Sequence, residues 1–340
     1  MNVEILITLV LGVGFAFSIG AGDETLATLV GSGAMRLRRA VILGGVLAAL
    51  GAMLFSSGVA QSIGTEMLNA SVLDMSRYQA WIMVSILISV TVWILIASRI
   101  GMPVSTTYSI IGAFIGVALC GPLIGTDFSS ALHWNQMQEI VLGWIFSPLL
   151  GLGSCLGISF LMNRFIRRRI SGLAGLERIE RVFMIILIFF SCFNELNRSG
   201  NDAGKALGIF YGLAGSGQID PGMLVAMIVI GGIAVGLGLI IIGKYLLRNV
   251  GKHLIEIRPS DALCIEISMA IVLLMANLLA LPISGGQVLI FAIVGMSLIK
   301  HETVNKRRLK RIVYSWIITF PVAALTSAAV LSLLLVVFRI

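Results

Sequence analysis

Seven ionisable residues stand in stretches that are otherwise apolar: Asp23, Glu24, Glu195, Arg198, Asp202, Lys205 and Glu266. At membrane depth each costs about 3 kcal/mol or more unless it is paired or hydrated. The simplest remedy is mutual neutralisation. Glu195 with Arg198, and Asp202 with Lys205, have the three-residue spacing that brings side chains together on a helix. Chemistry is the alternative. A carboxylate near an anion repels it, so Asp23, Glu24 and Asp202 make sense beside an anion only if they hold a coupling cation or a proton. Glu266 is a lone acid in its span. Lys205 has two candidate partners, Asp202 on its own helical face or an anionic substrate.

Hydroxyl and small residues form a second set. PVSTT (103–107) and PISGG (282–286) each place them after a proline. A helix start has unpaired amides and a partial positive charge, which suits an oxyanion. Ser105, Thr106, Thr107 and Ser284 are candidate donors, and Gly285 and Gly286 let the backbone curl its amides around an anion. Plain N-capping would need only one hydroxyl.

Positioning these groups requires a membrane protein. Of 340 residues, 58% are hydrophobic and 12% are charged, too few charges for a water-exposed surface. Apolar runs predict ten spans, near 3–21, 40–59, 80–98, 104–122, 138–163, 181–197, 221–243, 261–281, 285–299 and 312–338. The first run has no basic flank before it and no small-residue cleavage site after it, so it reads as a span rather than a cleavable signal. GAGDETLATLVGSG (20–33) and RSGNDAGKALG (198–208) lie in segments, 22–35 and 198–218, too polar and glycine-rich to face lipid. Both are expected to be broken or re-entrant and enclosed by protein. The net charge of +8 fits the positive-inside rule without invoking nucleic acid. Arg36 to Arg39, Arg99, Arg164 to Arg181, Lys244 to Arg258 and Lys300 to Arg311 all fall on one side of a ten-span topology. Both termini are therefore expected outside and the Arg-rich loops in the cytoplasm.

The halves of the chain correspond at a fixed offset of 179 residues: Asp23 with Asp202, Pro103 and Ser105 with Pro282 and Ser284, Gly116 with Gly295. Five spans per half would insert the second half in the opposite sense. The expected fold is all-α and polytopic, two inverted five-span repeats (1–170 and 171–340) whose broken helices meet at the midplane, an architecture of secondary transporters.

These motifs resemble the inorganic phosphate transporter (PiT) family, in which each half carries a signature of the form G-A-N-D-V-A-N. Ser199 to Gly208 is similar to the second signature, and Gly20-Ala21-Gly22-Asp23 to the start of the first. Val30 to Gly33, with Arg36 to Arg39 after it, is similar to the family's stretch just downstream of the first signature. The Pro-x-Ser-Thr-Thr turn of each half is matched at 103–107 and partly at 282–286. The resemblance implies uptake of phosphate coupled to sodium or protons, with sulfate permeases among the relatives, and adds Asn201 and Ser32 to the substrate-binding candidates. Gly22 stands in place of an Asn, Lys205 in place of another, and Gly285-Gly286 in place of Thr-Thr. A sodium site here loses amide oxygens and gains an ammonium that repels a cation, which shifts weight towards a proton or no coupling ion.

The expected function is symport of a tetrahedral inorganic anion, phosphate first, across the plasma membrane. No cofactor is expected beyond the coupling ion, H+ or Na+. The expected partners are phosphate or sulfate and the lipid bilayer, without nucleic acid; a homodimer is left open. Sulfate permeation is the alternative within the class. A non-transporting receptor derived from a transporter is the alternative outside it. No nucleophile–base pair, nucleotide loop or metal cluster suggests an enzyme. The orientation has a direct check: a cysteine replacing Arg167 should resist impermeant thiol reagents added outside intact cells and react once the membrane is opened.

Overall fold

The computed structural model describes residues 3–66, 79–121, 134–165, 172–253, 257–279, 281, 283–301 and 304–338. Arg167 to Arg169 of the basic loop and Pro282 of the second turn lie outside the described residues. The described chain is helical, with no strand among those residues. The helices are α1 (Val3–Ala21), α2 (Ala27–Gly31), α3 (Leu37–Phe55), α4 (Ser57–Glu66), α5 (Gln79–Ile100), α6 (Thr106–Cys120), α7 (Trp134–Phe165), α8 (Leu173–Gly215), α9 (Pro221–Gly238), α10 (Lys244–His253), α11 (Pro259–Leu278), α12 (Gly285–Lys300) and α13 (Lys306–Phe338). A π-helical stretch, Leu239–Gly243, joins α9 to α10. Seven helical runs are long and apolar enough to cross a membrane. Large apolar side chains such as Val10, Phe146, Ile185 and Leu325 stay exposed, as lipid-facing residues must.

Local chemistry sets several boundaries. Asp220 caps α9 by accepting from the Met223 amide at 3.0 Å, and Pro221 opens the helix. α11 opens with Pro259, and the Asp261 carboxylate accepts from the Arg258 amide at 3.2 Å. Gly101, at φ 76°, turns the chain between α5 and α6 in a conformation that glycine adopts without strain.

Small residues decide which helices meet, because glycine lets two backbones approach closely. α1 runs parallel to α9: Ala16 faces Gly231 and Gly20 faces Val235. α3 runs parallel to α8: Gly51 faces Leu196 and Phe55 faces Gly200. α1 and α8 run antiparallel, with Gly12 against Phe210 and Asp23 beside Arg198. α6 packs on α13 and α12 on α7, while α5 lies against α1 and α11 against α8.

Among the described residues the ten apolar runs fall on helices, the 40–59 run shared between α3 and α4, with two departures from expectation. α6 and α12, at 15 and 16 residues, are shorter than full spans. At ~1.5 Å per residue each covers roughly 22–24 Å, less than a hydrocarbon core of about 30 Å. Both begin just after the proline-marked turns. The second departure is a correction. Residues 22–35 are broken, with only the five-residue α2 inside them, but 198–215 are not. They continue α8, which runs 43 residues without interruption. A polar helix needs a break only if it would otherwise face lipid. Here every residue from Asn197 to Phe210 is buried in protein, so the backbone keeps its own hydrogen bonds.

A Cβ added at Gly20 would overlap the Val235 carbonyl, and backbone cannot swing aside. Gly20→Leu should lower the melting temperature of the purified protein by several degrees or abolish folding, since overpacking costs about 1–3 kcal/mol even against side chains. Gly14→Leu, on the same helix with open space around it, should leave the melting curve unchanged.

Candidate functional site

The break between α1 and α2 presents carboxylates to the middle of α8. Asp23 stands two residues past α1 and forms an Asx turn: its Oδ1 accepts from the Thr25 amide at 2.8 Å and from the Thr25 hydroxyl at 2.7 Å. The turn points Asp23 and Glu24 at Arg198. The Arg198 Nη2 donates to Glu24 Oε1 at 2.8 Å, and Nη1 donates to Thr25 Oγ1 at 3.1 Å with Asp23 Oδ1 at 3.4 Å. Its Nε donates to Asp202 Oδ2 at 3.2 Å, one turn further along α8. The guanidinium thus gathers three carboxylates from two parts of the chain, and its side chain is 5% exposed.

Lys205 forms the other half of the cluster. Its ammonium donates to Asp202 Oδ1, to the Ile283 carbonyl at 2.8 Å and to Thr106 Oγ1 at 3.2 Å. Thr106 opens α6, and Ile283 stands just before α12. One fully buried cation therefore ties together the two proline-marked turns, which lie far apart in sequence. Ser105 caps α6 by accepting from the Tyr108 amide at 3.3 Å. Ser284 holds the same place at α12 without a side-chain cap bond, so capping does not occupy its hydroxyl. Gly285 lies against the aliphatic part and Nε of Arg198, and Gly286 lies against Glu24.

Four buried oxygens around this centre have no hydrogen-bond partner among the described residues: Glu24 Oε2, Thr107 Oγ1, Glu195 Oε2 and Asn201 Oδ1. The structure thus brings Asp23, Glu24, Asp202, Lys205, Thr106 and the 283–286 turn into one cluster. Ser32 is elsewhere. It ends α2, donating to the Leu29 carbonyl at 3.4 Å, next to Gly31, which packs on Gly251 of α10. The Asp202–Lys205 pair forms at the expected spacing. The Glu195–Arg198 pair does not: Arg198 turns to Asp23, Glu24 and Asp202, and Glu195 accepts from the Ser199 hydroxyl at 3.3 Å.

Of the amides that frame the cluster, sequence reasoning named Asn201 and passed over Asn194, Asn197 and Asn277. Asn201 donates to Asn277 Oδ1 at 3.0 Å and to the Leu281 carbonyl at 2.9 Å, and Asn277 donates to the Asn197 carbonyl at 2.9 Å. This ladder fixes the end of α11, and so the approach to α12. Asn194 and Thr28 both donate to the Glu266 carboxylate, so that acid is not alone. A signal was present: Asn194, Asn197, Asn201 and Lys205 recur at spacings of three and four, a single helical face.

The chain has relatives in both sequence and fold. A family model described as "Phosphate transporter family" matches residues 19–327. A putative phosphate permease of Pyrococcus horikoshii is 26% identical over 98% of this chain and 98% of its own length. The chloroplastic inorganic phosphate transporter 2-1 of Arabidopsis thaliana is 24% identical over 93% of this chain and 70% of its length. A solved structure titled "The sodium-dependent phosphate transporter" superimposes with TM-score 0.84 at 26% identity, over 99% of this chain and 100% of that one. These relatives are transporters and not enzymes. The sequence motifs, the helical architecture and these similarities lead to one assignment: the chain is a multi-span membrane protein that belongs to the phosphate transporter family.

Proposed function

We propose that this protein is a secondary active transporter that carries phosphate into the cell together with a cation. The observation that carries this reading is the meeting of the α6 and α12 starts at one buried charge cluster, bridged by Lys205. Two helix N-termini aimed at one place favour an anion there. The partnerless hydroxyl of Thr107 and the uncapped Ser284 supply donors.

Charge argues for coupling. Asp23, Glu24 and Asp202 share two cations, Arg198 and Lys205, and Glu195 accepts from the Ser199 hydroxyl with no cation paired to it, so the acids of the cluster outnumber its bases and call for protons or a further cation. A dianion or monoanion enters such a place at low cost only with protons or sodium ions. Linkage then requires the anion to raise the affinity for the cation by the same factor. The name of the solved relative supports a cation partner.

The offset of 179 residues supports an inverted repeat, with halves 1–170 and 171–340. It maps α1 onto the membrane part of α8, α3 onto α9, α6 onto α12 and α7 onto α13. Under that mapping the α1–α9 contact becomes α8–α3, and α6–α13 becomes α12–α7; all four are observed. Tyr108 and Gln287, 179 apart, hydrogen-bond to each other at 2.8 Å, as residues astride a pseudo-two-fold axis would. Such folds place the substrate where the repeats meet. The plasma membrane, with both termini outside, remains the orientation that the basic loops favour.

The test is uptake of labelled phosphate and labelled sulfate into proteoliposomes under imposed pH or sodium gradients. Phosphate accumulation driven by at least one of the two gradients is expected. Preference for sulfate would make the protein a sulfate permease, and no flux of either anion under any gradient would leave a receptor. Ser284→Ala should fold normally and cut phosphate uptake about 10-fold to 100-fold, the worth of one hydrogen bond to a charged group. Ser105→Ala combined with Ser284→Ala should abolish uptake while the protein still reaches the membrane; unchanged uptake would make both serines mere helix ends.

A further inference from the structure

Arg198 has the surroundings of a bound metal cation rather than of a surface ion-pair partner. Three carboxylates converge on it, Glu24 at 2.8 Å, Asp202 at 3.2 Å and Asp23 at 3.4 Å, two from the α1–α2 break and one from α8. The space it fills exists because position 285 has no side chain. A Cβ there would stand 2.6 Å from Nε and 2.8 Å from Cδ of Arg198, and one at 286 would overlap Glu24. The equivalent positions of the other half, at the 179-residue offset, are Thr106 and Thr107, both with side chains. The halves therefore differ at this point, and the difference is filled by a guanidinium.

We propose that Arg198 is a resident counter-cation: its guanidinium holds the place and charge of a monovalent cation that Asp23, Glu24 and Asp202 would otherwise bind, so that transport needs no sodium and protons supply the coupling. This rests on the transport reading above. A tethered cation cannot be carried across and released, so it satisfies the carboxylates in every state without contributing to the driving force. Sodium gains nothing by competing for oxygens that the guanidinium already engages. The carboxyl oxygens left without partners, Glu24 Oε2 and Glu195 Oε2, are where a proton could be taken up.

The experiment has two readouts on protein in lipid nanodiscs and proteoliposomes. Without any phosphate, sodium chloride or guanidinium chloride at low millimolar levels, at constant ionic strength, should leave the melting temperature of the unaltered protein unchanged. Both salts should raise that of Arg198→Ala. In uptake, the unaltered protein should respond to a pH gradient and not to sodium. Arg198→Ala should lose about tenfold or more, as breaking a buried pair does, and regain part of it with sodium or guanidinium present. A helix-linking role alone would lose activity with no rescue by either ion. If Arg198→Ala fails to fold, Gly285→Ser decides. With Arg198 retained, it should reduce pH-driven uptake by crowding the guanidinium and render the remaining uptake sodium-responsive. Sodium stimulation of the unaltered protein would overturn the proposal, as would an unrescued Arg198→Ala or a sodium-indifferent Gly285→Ser. Absence of phosphate uptake by the unaltered protein would instead count against the transport reading, and the melting measurements would still judge Arg198 independently.

Discussion

The cost of burying charge governs this structure. Arg198 and Lys205 are enclosed by protein, and an uncompensated charge there would cost several kcal/mol. Each is tolerable only because other parts of the fold deliver acceptors to it. The Asx turn at Asp23 and Thr25 delivers two carboxylates, one turn of α8 delivers Asp202, and the starts of α6 and α12 deliver a hydroxyl and a carbonyl. Removing one partner leaves the others exposed to the same penalty. The broken segment, the long helix and the two half-length helices are therefore mutually dependent, although no two of them are neighbours in sequence.

Glycine pairing provides the rigid frame around that centre. Where α1 meets α9 and α3 meets α8, the backbones approach so closely that side-chain rearrangement cannot separate them gradually. Such interfaces hold as units, so α1 with α9 and α3 with α8 each form a tightly joined pair. The polar ladder through Asn197, Asn201 and Asn277 extends the same frame towards α12 by hydrogen bonds instead of close packing.

Much of this was legible in the sequence because membrane helices are written in long apolar runs, and because Pro-x-Ser turns at a constant offset are rare by chance. The helical architecture followed from those runs, the break after Asp23 from the polar, glycine-rich stretch there, and the Asp202–Lys205 pair from its three-residue spacing. Residues 198–215 depart from the expected break because polarity alone does not require one. Polarity reports what a segment cannot face, and an enclosed helix satisfies that demand as well as a broken one. The partners of Arg198 were not legible, since spacing along α8 offers Glu195 and Asp202 alike, and only the fold brings Asp23 and Glu24 from the other half. Ser32 shows the converse limit: a motif position can lie near the site in sequence and away from it in space.

The contact between Gly285 and the Arg198 side chain also constrains how the sequence could have changed over time. A Cβ at 285 would stand 2.6 Å from Nε and 2.8 Å from Cδ of Arg198, so the guanidinium keeps its present place only while 285 has no side chain. A larger residue at 285 has to be matched by a shorter one at 198 or by a shift of the arginine stem. The two positions, 87 apart in sequence, are expected to vary together.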